Sequence, residues 1–322
     1  MASQHRQQKV KPRKIGRLIR LCTVLMVSLL AMPAAAADLL VGTGEVGSFS
    51  HFTGRAICRN ISRSDIGWNC QVVPAPDGIH NLTNLQEGSL DLALVDSKLL
   101  HDAIHNAGDF EFMDIRYDNL GLLLPLYDLP MLLVTRKDAD IDGLGQMAGK
   151  RINAGAPRSP EHQALDLIMA TKGWTRKTFK VFQELPAAQS QDTMAFCHGS
   201  IDAMLHVGVH PDSRLEQLMS LCGAVPVGTA DADMIDTHPA FSIIQIPADT
   251  YPGMSRPIQA FGTTIVLAAS LSLDEATVEA VMGVLDKNQA RLRSTHPALR
   301  AFSAKPSDGK DIGLQLHPGA RQ

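Results

Sequence analysis

No Gly-x-Ser-x-Gly elbow, Walker phosphate loop or His-Glu-x-x-His helix occurs in the 322 residues. The usual serine-hydrolase, P-loop and zinc-peptidase chemistries therefore have no motif to stand on. Cys-x-x-Cys spacing is missing as well, which argues against a structural zinc site. There is no strong internal repeat and no low-complexity tract, so a solenoid or a disordered linker architecture is not indicated. The longest purely apolar run near the amino end, Leu21 to Met32, is about a dozen residues, short of the roughly 20 that a membrane span needs.

What is present begins with that amino end. Arg6, Lys9, Lys11, Arg13, Lys14, Arg17 and Arg20 form a basic region without an acid, followed by the apolar run and by Pro33 and four alanines. This is the pattern of a secretory signal peptide over residues 1–37, cleaved near Ala36 or Ala37 and directing the chain to the periplasm. The rival, an uncleaved anchor, suits the short run poorly. Leu21 before Cys22 argues against a lipoprotein anchor. Loss of the seven basic residues takes the formal charge from −3 to −10. An acidic exported chain has no electrostatic footprint for nucleic acid. Cys58, Cys70, Cys197 and Cys222 then remain, and in an oxidising compartment Cys58–Cys70 with Cys197–Cys222 is the simplest of three pairings. Loops of that length contribute about 3 kcal/mol each in the chain-entropy model.

From Ala37 the chain alternates strand, loop and helix, the signature of an α/β protein with a mostly parallel sheet. Leu39–Val41 leads through Gly42–Gly47 to a helix through Phe52, Ala56 and Ile57, and Cys70–Val73 is the next strand. Asp77 caps a helix carrying Ile79, Leu82 and Leu85, Leu90–Val95 is a buried strand, and Ser97 caps a further helix. Leu120–Leu126 and Met131–Thr135 are extended runs separated by Tyr127–Pro130. A second α/β unit follows to about Val227, then the long run Ile258–Ala268 and an amphipathic helix capped by Ser272. Two units joined by two long extended segments predict two lobes: 38–135 with 258–322, and 136–257. Ligands in such sheets lie outside the carboxyl ends of strands, so a cleft between hinging lobes is the expected site.

The stretch Arg151–His162 shows how such a site is built. A strand enters Gly155-Ala156-Pro157, and Ser159, Pro160 and Glu161 then start a helix as cap, first residue and first-turn acid. Free N–H groups at a helix start suit an anion or carboxylate, and Arg158 adds a full positive charge. The glycines of Gly42-Thr43-Gly44 allow a similar backbone approach. Gly42-x-Gly44-x-x-Gly47 also matches the dinucleotide fingerprint in letters. Asp77, however, lies about 30 residues past Gly47 rather than about 20. His206 and His210 follow a second-lobe strand and are placed toward the cleft. His101 and His105 are read as a solvated helix face rather than a metal pair. Ser159 with His162 is a thin candidate for catalysis.

In order along the chain, the motifs resemble the TAXI family of solute receptors for TRAP (tripartite ATP-independent periplasmic) transporters. The pieces are Val41–Gly44 with Thr53-Gly54 and Ala56–Cys58, then Asn81, Glu87-Gly88, Asp91 and Ser97. They continue with Gly149–Arg151, Gly155, Pro157 and Ser159, Lys172–Trp174, Ile201–Ala203, His210-Pro211, Tyr251–Gly253 and Leu316–Ala320. The resemblance implies a type II periplasmic-binding-protein-like fold. It implies capture of a small carboxylate and its delivery to TRAP membrane subunits, with no catalysis and no cofactor. The expected protein is a monomer that binds a small organic acid or amino acid and holds no metal. The ligand set it implies is Gly42, Thr43, Gly44, Ser48, Ser50, His51, Asp77, Gly78, Asn81, Asp96, Ser97, Gly155, Ala156, Arg158, Ser159, His206 and His210. Both cysteine pairs look like those of disulfide-containing members. The chain departs from the family pattern at Ser48–His51, Pro76–Gly78, Asp96, Lys98 and Arg158–Pro160. Asp77 or Asp96 would accept from an ammonium group, which tilts the expected ligand toward an amino acid. Those departures also leave room for a scaffold repurposed for sensing or partner binding.

Overall fold

Two strands much longer than the others run through the middle of the fold and organise the rest. The computed structural model describes residues 37–186, 190–306 and 313–321. The expected signal peptide lies outside the described residues except for Ala37, as does part of the polar tail after Pro306.

The first lobe opens with β1 (Ala37–Thr43), α1 (Phe49–Ser62), β2 (Trp68–Pro74), α2 (Gly78–Gln86), β3 (Leu92–Asp96) and α3 (Ser97–His105). The chain then leaves along β4 (Leu120–Arg136). The second lobe holds β5 (Arg151–Asn153), α4 (Pro160–Lys172), β6 (Val181–Gln183), α5 (Ser190–Cys197), β7 (Ala203–Val207), α6 (Ser213–Cys222), β8 (Ala224–Val227), α7 (Ala232–Thr237) and β9 (Ser242–Ile246). The return is along β10 (Ile258–Ser270), and α8 (Glu275–Lys287) and α9 (Gln289–Arg293) complete the first lobe.

The strand order is β2-β1-β3-β10-β4-β7-β5-β6, with β9 beside β10 and β8 beside β4. The pairs β1/β3, β5/β6 and β5/β7 are parallel, as the strand–helix alternation leads one to expect. The two long strands are antiparallel to every neighbour, so the sheet is mixed. Residues Leu120–Pro130 of β4 pair with β10, whereas Met131–Arg136 pair with β7 and β8. Each strand thus begins in one lobe and ends in the other. The apolar residues divide accordingly. Leu124, Leu267 and Val281 belong to first-lobe cores, and Leu133, Leu205 and Phe261 to a second-lobe core. Both faces of each half-sheet are covered by helices, the burial pattern of a parallel-type sheet.

Helix starts are set by side-chain caps. Ser48 Oγ accepts from the His51 N–H, Asp77 from His80, Ser159 from His162 and Asp212 from Leu215. At two helices the structure corrects the sequence expectation. Asp96 rather than Ser97 caps α3, because the Ser97 hydroxyl already accepts from the Thr264 N–H at 3.1 Å. Asp274 rather than Ser272 caps α8, because the Ser272 hydroxyl is bonded to that of Ser270 at 2.6 Å. The expected break at Tyr127–Pro130 is also absent. These residues pair with Gly262–Ile265, and the register shift between Ile265 and Val266 accommodates the chain next to Pro125.

Cys58–Cys70 ties α1 to β2, and Cys197–Cys222 ties the ends of α5 and α6. In the tail, Leu316 bridges to Leu122 in parallel, and the His317 N–H donates to the Leu122 carbonyl at 2.9 Å. Among the described residues no helix is long and apolar enough to cross a membrane.

At Gly262 the crossover strands leave no space for a side chain. A Cβ there would lie 2.5 Å from the Leu129 carbonyl oxygen and 2.8 Å from Pro130 Cα, and backbone atoms cannot step aside. Gly262→Ala is therefore expected to destabilise the fold by about 1–3 kcal/mol. Urea unfolding checks this: the midpoint should fall while the slope stays constant, and an unshifted midpoint would show that the crossover has slack.

Candidate functional site

A cavity of about 850 Å³ lies where the two lobes meet. Its floor is the crossover itself: Leu129 and Met131 from β4 beside Thr263 and Ile265 from β10. One wall comes from the first lobe, with Pro76–Ile79 at the start of α2, Asp96, Lys98, Leu99 and Asp102 at the start of α3, and Gly108-Asp109 beyond it. The other wall is one face of α4, carrying Pro160, Gln163, Ala164, Asp166, Leu167 and Ala170 at helical spacing, extended by Arg158, Val207 and Phe241. Three helix N-termini, those of α2, α3 and α4, thus reach this cavity.

Its charges are unequal. Asp77, Asp96, Asp102, Asp109 and Asp166 face only two basic residues, Lys98 and Arg158. Lys98 is held by Asp102 one helical turn away. Arg158 makes no ion pair among the described residues and is exposed. Asp96 is the most constrained acid. Its Oδ1 accepts the Lys98 N–H at 2.8 Å and the Leu99 N–H at 3.4 Å, and its Oδ2 accepts the Thr263 hydroxyl. Burial raises its pKa, while Thr263, the two N–H groups and the Lys98 charge pull the other way.

Of the residues expected to hold a ligand, Asp77, Gly78, Asp96 and Arg158 line this cavity. The others lie beside it or are engaged in the fold. Gly44 donates its N–H to Ser50 Oγ at 3.2 Å, Thr43 Oγ1 lies 3.1 Å from His51 Nδ1, and Asn81 Nδ2 donates to the Thr43 carbonyl at 3.0 Å. Gly42 packs against Asn81 and Leu90 with no room for a Cβ, and Ser48 is the α1 cap. Ser50 also bonds Tyr127, whose pKa burial raises. Ser97 is bonded to the backbone of β10. Gly155 takes a left-handed φ of +83°, which lets its N–H reach Asn153 Oδ1 at 3.2 Å, and Ala156 continues this turn toward the Ser159 cap. Ser159 and His162 form no catalytic pair. Ser159 Oγ accepts the His162 backbone N–H, and the His162 ring sits 3.0 Å from both Asp166 and Glu184.

Sequence reasoning overlooked most of the cavity wall. Gln163, Asp166, Leu167 and Ala170 recur at three- and four-residue spacing opposite the buried stripe of α4, a signal available in the sequence. Phe241 and Thr263 carry no local signal. Thr263 reaches the site on the returning crossover and Phe241 from the segment before β9.

His206 and His210 sit at the carboxyl end of β7, packed edge to face with centroids 5.4 Å apart. The Asp212 N–H donates to the Tyr251 hydroxyl oxygen at 2.8 Å, and that hydroxyl is also hydrogen-bonded to His210 Nδ1. The Nε2 atoms of both rings are buried without a hydrogen-bond partner. Burial lowers the pKa of His206 although Asp212 and Glu161 pull it up. Burial, reinforced by His206, takes His210 down to about 3. His101 and His105 stack at 4.1 Å, and among the described residues no three His, Cys, Asp or Glu side chains gather as a metal site would require.

A model of the NMT1-like family matches residues 41–322. Among solved structures, a TctC solute-binding protein from Polaromonas aligns with a TM-score of 0.54 at 16% identity, over 84% of this chain and 87% of that one. A probable amino-acid ABC transporter extracellular-binding protein from Bacillus subtilis aligns with a TM-score of 0.49 at 10% identity, over 80% and 95%. A binding-protein component of an ABC phosphonate transporter from Pseudomonas aeruginosa gives 0.48 at 13%, over 85% and 83%. The first of these establishes the two-lobed periplasmic-binding-protein fold, and identities this low carry no information on the ligand.

The buried histidines set a pH dependence of stability. An unfolded imidazole titrates near 6.5. Between that value and about 3 the unfolded chain binds a proton that folded His210 does not accept. Stability is then complete above about pH 7 and falls as the pH drops, by up to about 1.4 kcal/mol per pH unit from this residue alone. Urea unfolding from pH 7 to pH 5 should show the loss, and His210→Gln should flatten it. An equal slope in the variant would remove His210 as the cause.

Proposed function

We propose that this chain is an extracytoplasmic solute receptor, and the premise is that it belongs to the NMT1-like family. In this reading it binds a small organic acid or amino acid in the interlobe cavity and delivers it to a membrane permease in the periplasm. It acts as a binding protein without catalysis or cofactor, and as a monomer. The permease is assigned to the TRAP class on the strength of the TAXI-like motifs. The moving bodies are residues 38–135 with 258–322, and residues 136–257, hinged on the crossover strands.

The observation that carries the proposal is the cavity itself. It is floored by the two strands that join the lobes and met by three helix N-termini, and on the second-lobe side Arg158 makes no ion pair among the described residues. A carboxylate placed against Arg158 would add a charge-assisted hydrogen bond that bridges the lobes. Residues implied by the family pattern but bonded within the fold, such as Thr43, Ser50 and Asn81, would shape the first lobe rather than touch the ligand. The same observation favours the second reading, a scaffold repurposed for sensing or partner binding, because those loops offer few free polar groups.

A thermal-shift panel of amino acids, 2-oxo acids and dicarboxylates separates the two. A ligand at 100 times its dissociation constant stabilises by about 2.7 kcal/mol, and silence across the panel would favour the second reading. Arg158 provides a sharper test because its backbone is strained. Its φ of +67° lies in the left-handed region, which costs a non-glycine residue about 1–2 kcal/mol. Arg158→Gly should leave stability equal or up to about 1 kcal/mol higher, while weakening a carboxylate ligand at least about tenfold. Unchanged affinity would take Arg158 out of the site.

A further inference from the structure

We infer that the interlobe cavity selects an α-amino acid with an apolar side chain, its ammonium group held at Asp96 and its carboxylate at Arg158. This rests on the receptor reading and names the ligand class for that same site.

The lining is divided in a way that few ligand classes match. Its apolar part is Leu129, Met131 and Ile265 on the crossover strands with Leu99, Leu167 and Phe241. A polar side chain laid on that surface would lose its water and find no partner there. The charged groups differ between the lobes. Four carboxylates come from the first lobe and only Asp166 from the second, and Asp166 is bonded to His162. Lys98 is neutralised by Asp102, which leaves Arg158 as the one cation of the lining without an ion pair among the described residues.

A dicarboxylate would bring two negative ends to a cavity with one such cation and would set one of them against the first-lobe acids. A simple amine would leave Arg158 without a partner. A zwitterion meets both walls.

Asp96 is the acid best placed to take the ammonium group. It adjoins the apolar floor, being paired with Ile265 across the sheet. It already accepts two backbone N–H groups on Oδ1 and one hydroxyl on Oδ2, so Oδ2 keeps a lone pair for one further donor. Those donors hold the carboxylate in a fixed orientation and support its charge in a half-buried place, as recognition of a cation requires.

Isothermal titration of the purified protein with leucine, methionine, phenylalanine, glutamate and succinate tests the class. Isocaproate and isopentylamine, which are leucine without its ammonium and without its carboxylate, test the two ends. The expected result is binding of at least one apolar amino acid, with glutamate, succinate and both truncated compounds weaker by about tenfold or more than leucine. Asp96→Asn, which keeps a capping oxygen, should erase the preference for leucine over isocaproate. Glutamate or succinate binding as tightly as the apolar amino acids overturns the inference and leaves the receptor reading standing. Isocaproate matching leucine in the wild type, or a preference that survives Asp96→Asn, overturns the role of Asp96. No heat with any of the seven compounds overturns the inference and counts against the receptor reading as well.

Discussion

The antiparallel pairing of Leu120–Pro130 with Gly262–Ser270 is the constraint on which the rest depends. Each long strand is shared by the lobes, so neither lobe closes its sheet without the chain crossing twice. The cavity exists because helices pack on both halves of the sheet but leave the crossover residues Leu129, Met131, Thr263 and Ile265 open between them. Glycine at position 262 lets the strands approach to that distance. Separation of the lobes by bending leaves the hydrogen-bond ladder intact, whereas shear would break it. The fold therefore favours a hinge over a slide.

A second constraint links folding to recognition. Asp77 and Asp96 each cap a helix and also line the cavity. A cap must accept backbone N–H groups, which fixes the side chain's rotamer and places its negative charge against a positive dipole end. The same fixing makes it a preorganised acceptor for a ligand. Much of the charge in this site is thus supplied by residues the helices need anyway, and ligand specificity depends on what surrounds them. Asp96 adjoins an apolar floor, and the same lining holds Arg158, which makes no ion pair among the described residues.

Much of the first lobe was legible because its signals are local. Apolar periodicity places α1, and with the caps at Asp77 and Ser159 it places α2 and α4, while both cysteine pairs are joined as the simplest pairing had it. Where two neighbouring residues could cap, sequence could not choose. Asp96 prevailed over Ser97 because a strand distant in sequence claims the serine hydroxyl. Tyr127–Pro130 looked like a break, and only the partner strand β10 shows that the chain stays extended. The same limit hides the cavity. Thr263 meets Asp96 across 167 positions, and Phe241 joins Leu167 from a segment with no motif. The fold of α4 was readable, but which of its two faces meets a ligand was decided by the other lobe.

Arg158 shows how a site can change chemistry without changing its frame. The TAXI resemblance implies Gly-Ser-Gly where this chain has Arg158-Ser159-Pro160. The backbone at 158 nevertheless keeps the left-handed turn that glycine takes without strain. Pro160 fits because the first helical position needs no N–H, and Ser159 still caps. The turn is therefore dictated by the strand before it and the helix after it, and the residue at 158 must conform. A strained arginine persists where the surrounding structure over-determines the backbone, and such strain is concentrated at functional positions. Its guanidinium, without an ion pair among the described residues, brings to an acidic cavity a positive charge that a glycine at that position could not. Backbone geometry held constant, with the side chain free to vary, is the condition under which one receptor scaffold can acquire a different ligand.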